Sequence, residues 1–139
     1  MCHTTCVTPI RWTLRPGKSI ADQVIFAIQK ALLGGEYQPG QAFPSVRALA
    51  AELKIHPNTA HKVVQHLVRE RWLEVHPGIG TVVAEPPRTR PGDRQRLLQE
   101  HVEQLVVECR RVGASLQDLV QAISREWSKF DHAREANTR

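Results

Sequence analysis

The stretch Ser45-Val46-Arg47-Ala48-Leu49-Ala50-Ala51-Glu52-Leu53, the break Lys54-Ile55-His56, and the run Pro57-Asn58-Thr59-Ala60-His61-Lys62-Val63-Val64-Gln65-His66-Leu67-Val68-Arg69 decide the fold of this 139-residue chain. Ser45 can cap a helix, because its hydroxyl accepts one of the amides that a first turn leaves without a partner. Val46, Leu49, Ala50 and Leu53 then fall on one face, which predicts a short helix of about 9 residues. Pro57 suits the first position of the next helix, where a missing amide hydrogen costs nothing. Ala60, Val63, Val64, Leu67 and Val68 form its buried stripe, leaving Asn58, Thr59, His61, Lys62, Gln65, His66 and Arg69 outside. Two helices joined by so short a turn, the second polar on its outer face from the start, have the layout of a helix-turn-helix.

Working outward, Leu73 to His76 and Thr81 to Ala84 are β-formers around Pro77-Gly78-Ile79-Gly80, which predicts a hairpin. On the other side, Tyr37-Gln38-Pro39-Gly40 is a turn. Before it, Ser19 caps a first helix with Asp22 reaching back, and Ile20, Val24, Ile28, Ala31 and Leu32 share a face. Gly34 and Gly35 end that helix. Three helices and a hairpin make a winged helix over 19–85. Residues 1–18 hold Pro9, Pro16 and Gly17 with no sustained period, so they are expected to form a flexible leader.

Residues 86–92 form a linker with three prolines. Beyond it Leu98, Val102, Leu105, Cys109 and Val112 are spaced 4, 3, 4, 3. Gly113-Ala114 turns the chain, Ser115 caps with Asp118 in box position, and Leu116, Val120, Ile123, Trp127 and Phe130 repeat the spacing. These two seams are expected to meet in a helical hairpin over 93–131, followed by a flexible tail over 132–139. Such a hairpin is too small to bury enough apolar surface alone. Leu97, Val106, Val107 and Leu119 widen the apolar face, which predicts that two copies pack their hairpins together as a homodimer. The expected fold class is therefore mainly α, a winged helix-turn-helix followed by a C-terminal helical hairpin that dimerises.

Composition narrows the function classes. Apolar residues at 41% and charged residues at 24% are ordinary for a globular chain, which disfavours wholesale disorder. Net charge is +5, with nine basic and six acidic side chains in 1–85 and ten and eight in 86–139, so neither half is a charge block. The longest apolar run, Val24 to Ile28, is far short of a membrane span, and the first 20 residues lack the layout of a signal peptide. The expected location is the cytoplasm, with no membrane partner. Three cysteines, Cys2, Cys6 and Cys109, fit a reducing compartment better than a disulfide framework.

Several motifs resemble the GntR family of bacterial transcription regulators. The run Pro39-Gly40-Gln41-Ala42-Phe43-Pro44-Ser45-Val46-Arg47-Ala48-Leu49-Ala50 looks like the family's P-G-x-x-L-P-S-x-R-x-L-A signature. Ile55-His56-Pro57-Asn58-Thr59-Ala60, Leu67 and Gly78-Ile79-Gly80-Thr81 follow at the family's spacing. The short two-helix tail and the Pro-Asn-Thr opening resemble the YtrA-like branch. The resemblance covers about 19–84 and implies a dimeric winged-helix protein that binds double-stranded DNA at a two-fold operator, commonly as the repressor of a transporter operon. Phe43 stands where Leu is usual, and Ala60 and Val64 replace Val and Tyr. Arg71 occupies the place of a customary Gly, so either its backbone angle is positive or the connection differs. Ile79 replaces a polar or basic wing tip.

The candidate DNA-binding residues are Ser45, Arg47, His56, Pro57, Asn58, Thr59, His61, Lys62, His76, Gly78 and Gly80. The resemblance assigns DNA contact to Arg47, whose guanidinium can grip phosphate or pair twice with guanine. Asn58 can pair twice with adenine, while Thr59 suits a phosphate. Gly78 and Gly80 allow close approach to sugar and phosphate, although a plain turn needs glycine too. Arg88, Arg90, Arg94 and Arg96 suit flanking phosphates or simple solvation equally.

His56, His61, His66 and His76 lack ligand spacing with carboxylate or thiolate support, so no metal and no cofactor is expected. Cys2-His3 with Cys6 offers only incidental metal or oxidation chemistry. With no phosphate-cradling loop, no acid and base pair and no nucleophile motif, the chain is not read as an enzyme. The sequence identifies no small-molecule effector. The rival reading is a winged-helix protein-interaction adaptor, which would expose apolar anchors on the outer face of the third helix, where this chain is polar.

Overall fold

The structure is a computed structural model and describes residues 10–85 and 89–136. Its elements, in chain order, are α1 Ile20–Leu33, α2 Val46–Leu53, α3 Pro57–Arg69, β1 Leu73–His76, β2 Gly80–Val83, α4 Asp93–Arg111 and α5 Leu116–Ala136. The chain divides between residues 86 and 87 into two compact units.

In the first unit each helix starts where a side chain satisfies a free amide. The Asp22 amide donates to Ser19 Oγ at 3.4 Å, and the Ala48 amide donates to Ser45 Oγ at 3.2 Å. At the end of α1, Gly35 has φ 76°, the left-handed conformation that glycine adopts without penalty. Helix α3 packs on both α1 and α2. The core draws Val24, Ala27, Ile28 and Ala31 from α1, Leu49, Ala50 and Leu53 from α2, and Ala60, Val63, Val64 and Leu67 from α3. Ile28, Leu49, Leu67 and Leu73 are fully buried, each contributing roughly 1.5–3 kcal/mol of apolar transfer. Phe43 is absorbed into this core, its ring tilted against Tyr37 at a centroid separation of 5.6 Å. The apolar face of α1 differs from expectation at one point: Ile20 is 44% exposed and Ala27 takes a buried place instead.

β1 and β2 are antiparallel, with Leu73 opposite Val83 and His76 opposite Gly80. The segment before α2 adds a third rung. Gly40 and Phe43 donate to the carbonyls of Val83 and Thr81, both at 2.8 Å, and Val83 donates back to Gln41 at 2.9 Å. Ala42 thereby bridges to Val82 and ties the turn before the helix-turn-helix to the wing. Arg71 takes φ 61°, which settles its open alternative in favour of a positive backbone angle, and Lys54 does the same with φ 54° at the end of α2.

Three expectations are corrected. The flexible leader over 1–18 does not hold for 10–18, because Ile10 is buried in the core, Trp12 packs against it, and Gln23 holds the backbone of Arg15 and Lys18. The flexible tail over 132–139 does not hold for 132–136, where α5 continues to Ala136. Residues 137–139 lie outside the described residues, as do Cys2, His3, Cys6 and Arg88.

The third correction concerns the second unit. Helices α4 and α5 are joined as expected, and Ser115 and Asp118 form a reciprocal cap: the Ser115 amide donates to Asp118 Oδ2 at 2.9 Å, and the Asp118 amide donates to Ser115 Oγ at 3.1 Å. However, α4 and α5 do not pack against one another along their length. Their seams stay open to solvent, from Leu105 at 37% exposed to Val112 at 78%, and Val112 itself lies just beyond the end of α4. Only Cys109 and Phe130 of the ten seam residues are half-buried.

Candidate nucleic-acid interface

The outward face of the third helix is set by what lies beneath it. Ala60, Val63, Val64 and Leu67 are buried, and this fixes the rotation of α3 so that His61, Lys62, Gln65 and Arg69 face solvent. At its start, the Asn58 amide donates to Nδ1 of His56 at 3.1 Å, so the histidine caps the helix. An accepting Nδ1 leaves the hydrogen on Nε2, which makes the outer edge of the ring a donor. Pro57 occupies the first helical position, and Asn58 is exposed while Thr59 is half-buried. The structure thus brings His56, Pro57, Asn58, Thr59, His61 and Lys62 together in the first turns of one helix, where oriented amides favour a phosphate and the exposed side chains can meet base edges.

On α2 the two candidates separate in role. Ser45 is occupied by capping, whereas Arg47 is exposed in the first turn. The wing is also mixed. Gly78 and Gly80 have φ of 79° and 107°, and a Cβ at either would meet nothing within 4 Å, so backbone conformation rather than crowding requires glycine there. His76 Nε2 lies 3.1 Å from Glu74 Oε2, which places a carboxylate beside the one wing histidine. Ile79 at the tip is 75% exposed. An exposed aliphatic side chain thus stands at the wing tip, where a narrow minor groove would attract arginine.

Two exposed cations belong with this surface and were not among the candidates. Lys54 sits in the turn between α2 and α3, and Arg69 closes the outward face of α3. The outward row His61, Gln65, Arg69 at i, i+4, i+8 carries Arg69 in its pattern; nothing local in the sequence marks Lys54. Among the described residues no group of three or more His, Cys, Asp or Glu could hold a metal ion, and no helix is long and apolar enough to cross a membrane.

Comparison with known proteins places this surface in context. Residues 20–83 match the family model described as bacterial regulatory proteins, gntR family. The HTH-type transcriptional repressor YtrA of Bacillus subtilis (strain 168) is 31% identical over 116 residues, covering 83% of this chain and 85% of the relative. The HTH-type transcriptional regulator YhcF of the same organism is 30% identical over 105 residues, covering 75% of this chain and 83% of its own. Among solved structures, a transcriptional antiterminator from Listeria monocytogenes EGD-e superposes with a TM-score of 0.70 at 20% identity, covering 85% of this chain and 90% of that one, a likeness of fold.

Proposed function

The chain belongs to the GntR family of bacterial regulatory proteins, and from that premise we propose that this DNA-binding transcription regulator is a cytoplasmic repressor that binds a two-fold operator as a homodimer. The observation that carries the reading is the outer face of α3, which is polar from its histidine cap to Arg69 over a complete apolar stripe. Helix α3 enters the major groove, with Asn58, His61 and Lys62 at base edges and Thr59 and the capping His56 on phosphate. Arg47 grips the backbone or a guanine from the start of α2, and Gly78 and Gly80 bring the wing to the adjacent minor groove. An adaptor would need apolar anchors on α3, and its outer face has none.

The open seams of α4 and α5 support the homodimer. Amphipathic helices of 19 and 21 residues with rows of exposed aliphatic side chains are marginal in water unless another surface covers them. A second copy supplies the same rows. Near the turn between the helices lies an open cleft of about 500 Å³, lined by Val106, Cys109, Leu116 and Leu119 together with Arg110 and Ser115, which leaves apolar surface at the turn for a second copy to cover. The seam residues Leu98, Val102, Leu105, Cys109, Val112, Leu116, Val120, Ile123, Trp127 and Phe130 thus pack between chains rather than within one.

Footprinting on the DNA upstream of the protein's own gene, repeated at two salt concentrations, tests this reading, with a neighbouring transporter operon as the first target. Protection of two half-sites about one helical turn apart is the expected result. Protection that ignores sequence at both salt concentrations overturns it.

A further inference from the structure

A groove of about 460 Å³ runs between residues 11–18 and α1, on the first unit but outside the reading surface. None of the residues lining it comes from α2, α3 or the wing. The groove is built rather than incidental. Ile10 anchors one end of the arm in the core, and Gln23 secures the other. The Arg15 amide donates to Gln23 Oε1 at 2.7 Å, and Gln23 Nε2 donates to the carbonyls of Arg15 at 3.1 Å and Lys18 at 3.0 Å.

Its lining combines two aromatic side chains with a positive rim. Trp12 is half-buried against the core, while Phe26 projects from α1 with 62% of its surface exposed. Lys30 Nζ lies 5.7 Å from the centre of the Phe26 ring, so a cation stands over one aromatic face. Arg11, Arg15, Lys18 and Lys30 line the groove against one carboxylate, Asp22. Arg11 also acts on Glu36, whose carboxyl is raised by partial burial and lowered by that guanidinium, so the charge of Arg11 is partly engaged.

Phosphate contact alone would need the cations but not the rings, and an apolar patch would need the rings but not the cations. The volume falls within the range of small-molecule sites. We propose that this groove binds a small planar aromatic anion, its ring system against Trp12 and Phe26 and its carboxylate, sulfonate or phosphate group on the cationic rim, at the Lys30 ammonium beside the Phe26 ring. This assignment stands whether or not the chain reads an operator.

The test uses naphthalene-2-sulfonate as probe, titrated into the full chain and followed by amide NMR shifts. Saturable shifts concentrated in residues 11–30 are expected, with inorganic sulfate and neutral 2-naphthalenemethanol each binding at least ~10-fold more weakly. Phe26→Ala and Lys30→Ala, both at exposed positions, should each weaken probe binding at least ~5-fold without lowering the melting temperature. Sulfate binding equal to the probe reduces the groove to an anion-contact surface and overturns the proposal. Equal binding of the neutral analogue, or shifts spread along α4 and α5 instead of 11–30, overturns it as well. Loss of duplex DNA affinity in Arg15→Ala with probe affinity intact reassigns the cations to DNA.

Discussion

His56 and Asn58 are joined by a hydrogen bond of 3.1 Å in which the Asn58 backbone amide donates to the imidazole Nδ1. The bond does two things at once. It satisfies a free donor at the start of α3, and it holds the ring so that the Nε2 hydrogen is available to an incoming phosphate oxygen. His56→Ala removes both, and is expected to cost about 1 kcal/mol of stability in denaturant unfolding. His56→Asn restores the cap with a different side chain. If the role in DNA binding is only to order the helix, Asn recovers affinity; if the Nε2 donor contacts phosphate, stability recovers and part of the affinity does not.

Arg47 offers a simpler measurement, because it is exposed and the neighbouring cap is made by Ser45. Arg47→Ala should leave the melting temperature unchanged and weaken operator binding by ~1–3 kcal/mol. A phosphate contact would also make binding less steeply dependent on salt, whereas a guanine contact would relax specificity at one base pair. Full affinity in a binding titration would remove Arg47 from the interface.

The winged helix was legible because its signals are local: caps at Ser19 and Ser45, proline at position 57, and apolar residues at helical spacing. Ile10 was not legible, since an isolated apolar residue beside Pro9 carries no period, and only the shape of the finished core gives it a place. The bridge from Ala42 to Val82 was hidden for a similar reason, because a rung contributed by a turn leaves no alternation to read. The seams of α4 and α5 were recognised as seams, yet spacing cannot say whether a stripe meets its neighbour in the same chain or in another. On the candidate interface, periodicity put Asn58, His61, Lys62, Gln65 and Arg69 outward, where they are exposed, but Thr59 and His66, expected outside, are half-buried, and it gave no sign that His56 would turn back to cap its own helix.

Arg71 records a cost that a substitution can recover. Its φ of 61° follows α3, where the Arg71 amide donates to Val68 and the Trp72 amide donates to Leu67 at 2.8 Å, closing the helix through a left-handed residue. That conformation costs an ordinary residue about 1–2 kcal/mol, of which the greater freedom of unfolded glycine returns a part. Arg71→Gly is therefore expected to stabilise the protein by about 0.5–1 kcal/mol in chemical unfolding. No change or a loss would mean that the Arg71 side chain makes a compensating contact.

Asp118 makes the start of α5 sensitive to acid. Hydrogen bonds from the Ser115 hydroxyl and backbone amide hold its carboxyl below the usual aspartate range. A carboxyl held low contributes stability above its unfolded value and loses that contribution as pH falls through the folded one. Amide exchange in the first turn of α5 should therefore quicken, relative to the rest of α5, as pH drops below about 4, after correction for the intrinsic exchange rate. Asp118→Ala should show the faster exchange at neutral pH and no such step.

Leu105 separates the two accounts of the C-terminal helices. In a single chain it is only partly covered and α5 does not pack along α4, so a charge there would cost little if the monomer were the functional form. Buried between two copies, the same charge would be taken out of water without a partner, a cost large enough to displace an equilibrium of micromolar strength. Leu105→Asp is expected to sediment as a monomer where the parent sediments as a dimer, with the melting behaviour of the first unit retained. DNA affinity should fall in parallel, because each monomer can reach only one half-site and loses the advantage of two linked contacts. Should the variant be shown monomeric and still bind the operator as tightly as the parent, the two-fold mechanism would be wrong even though the family assignment would stand.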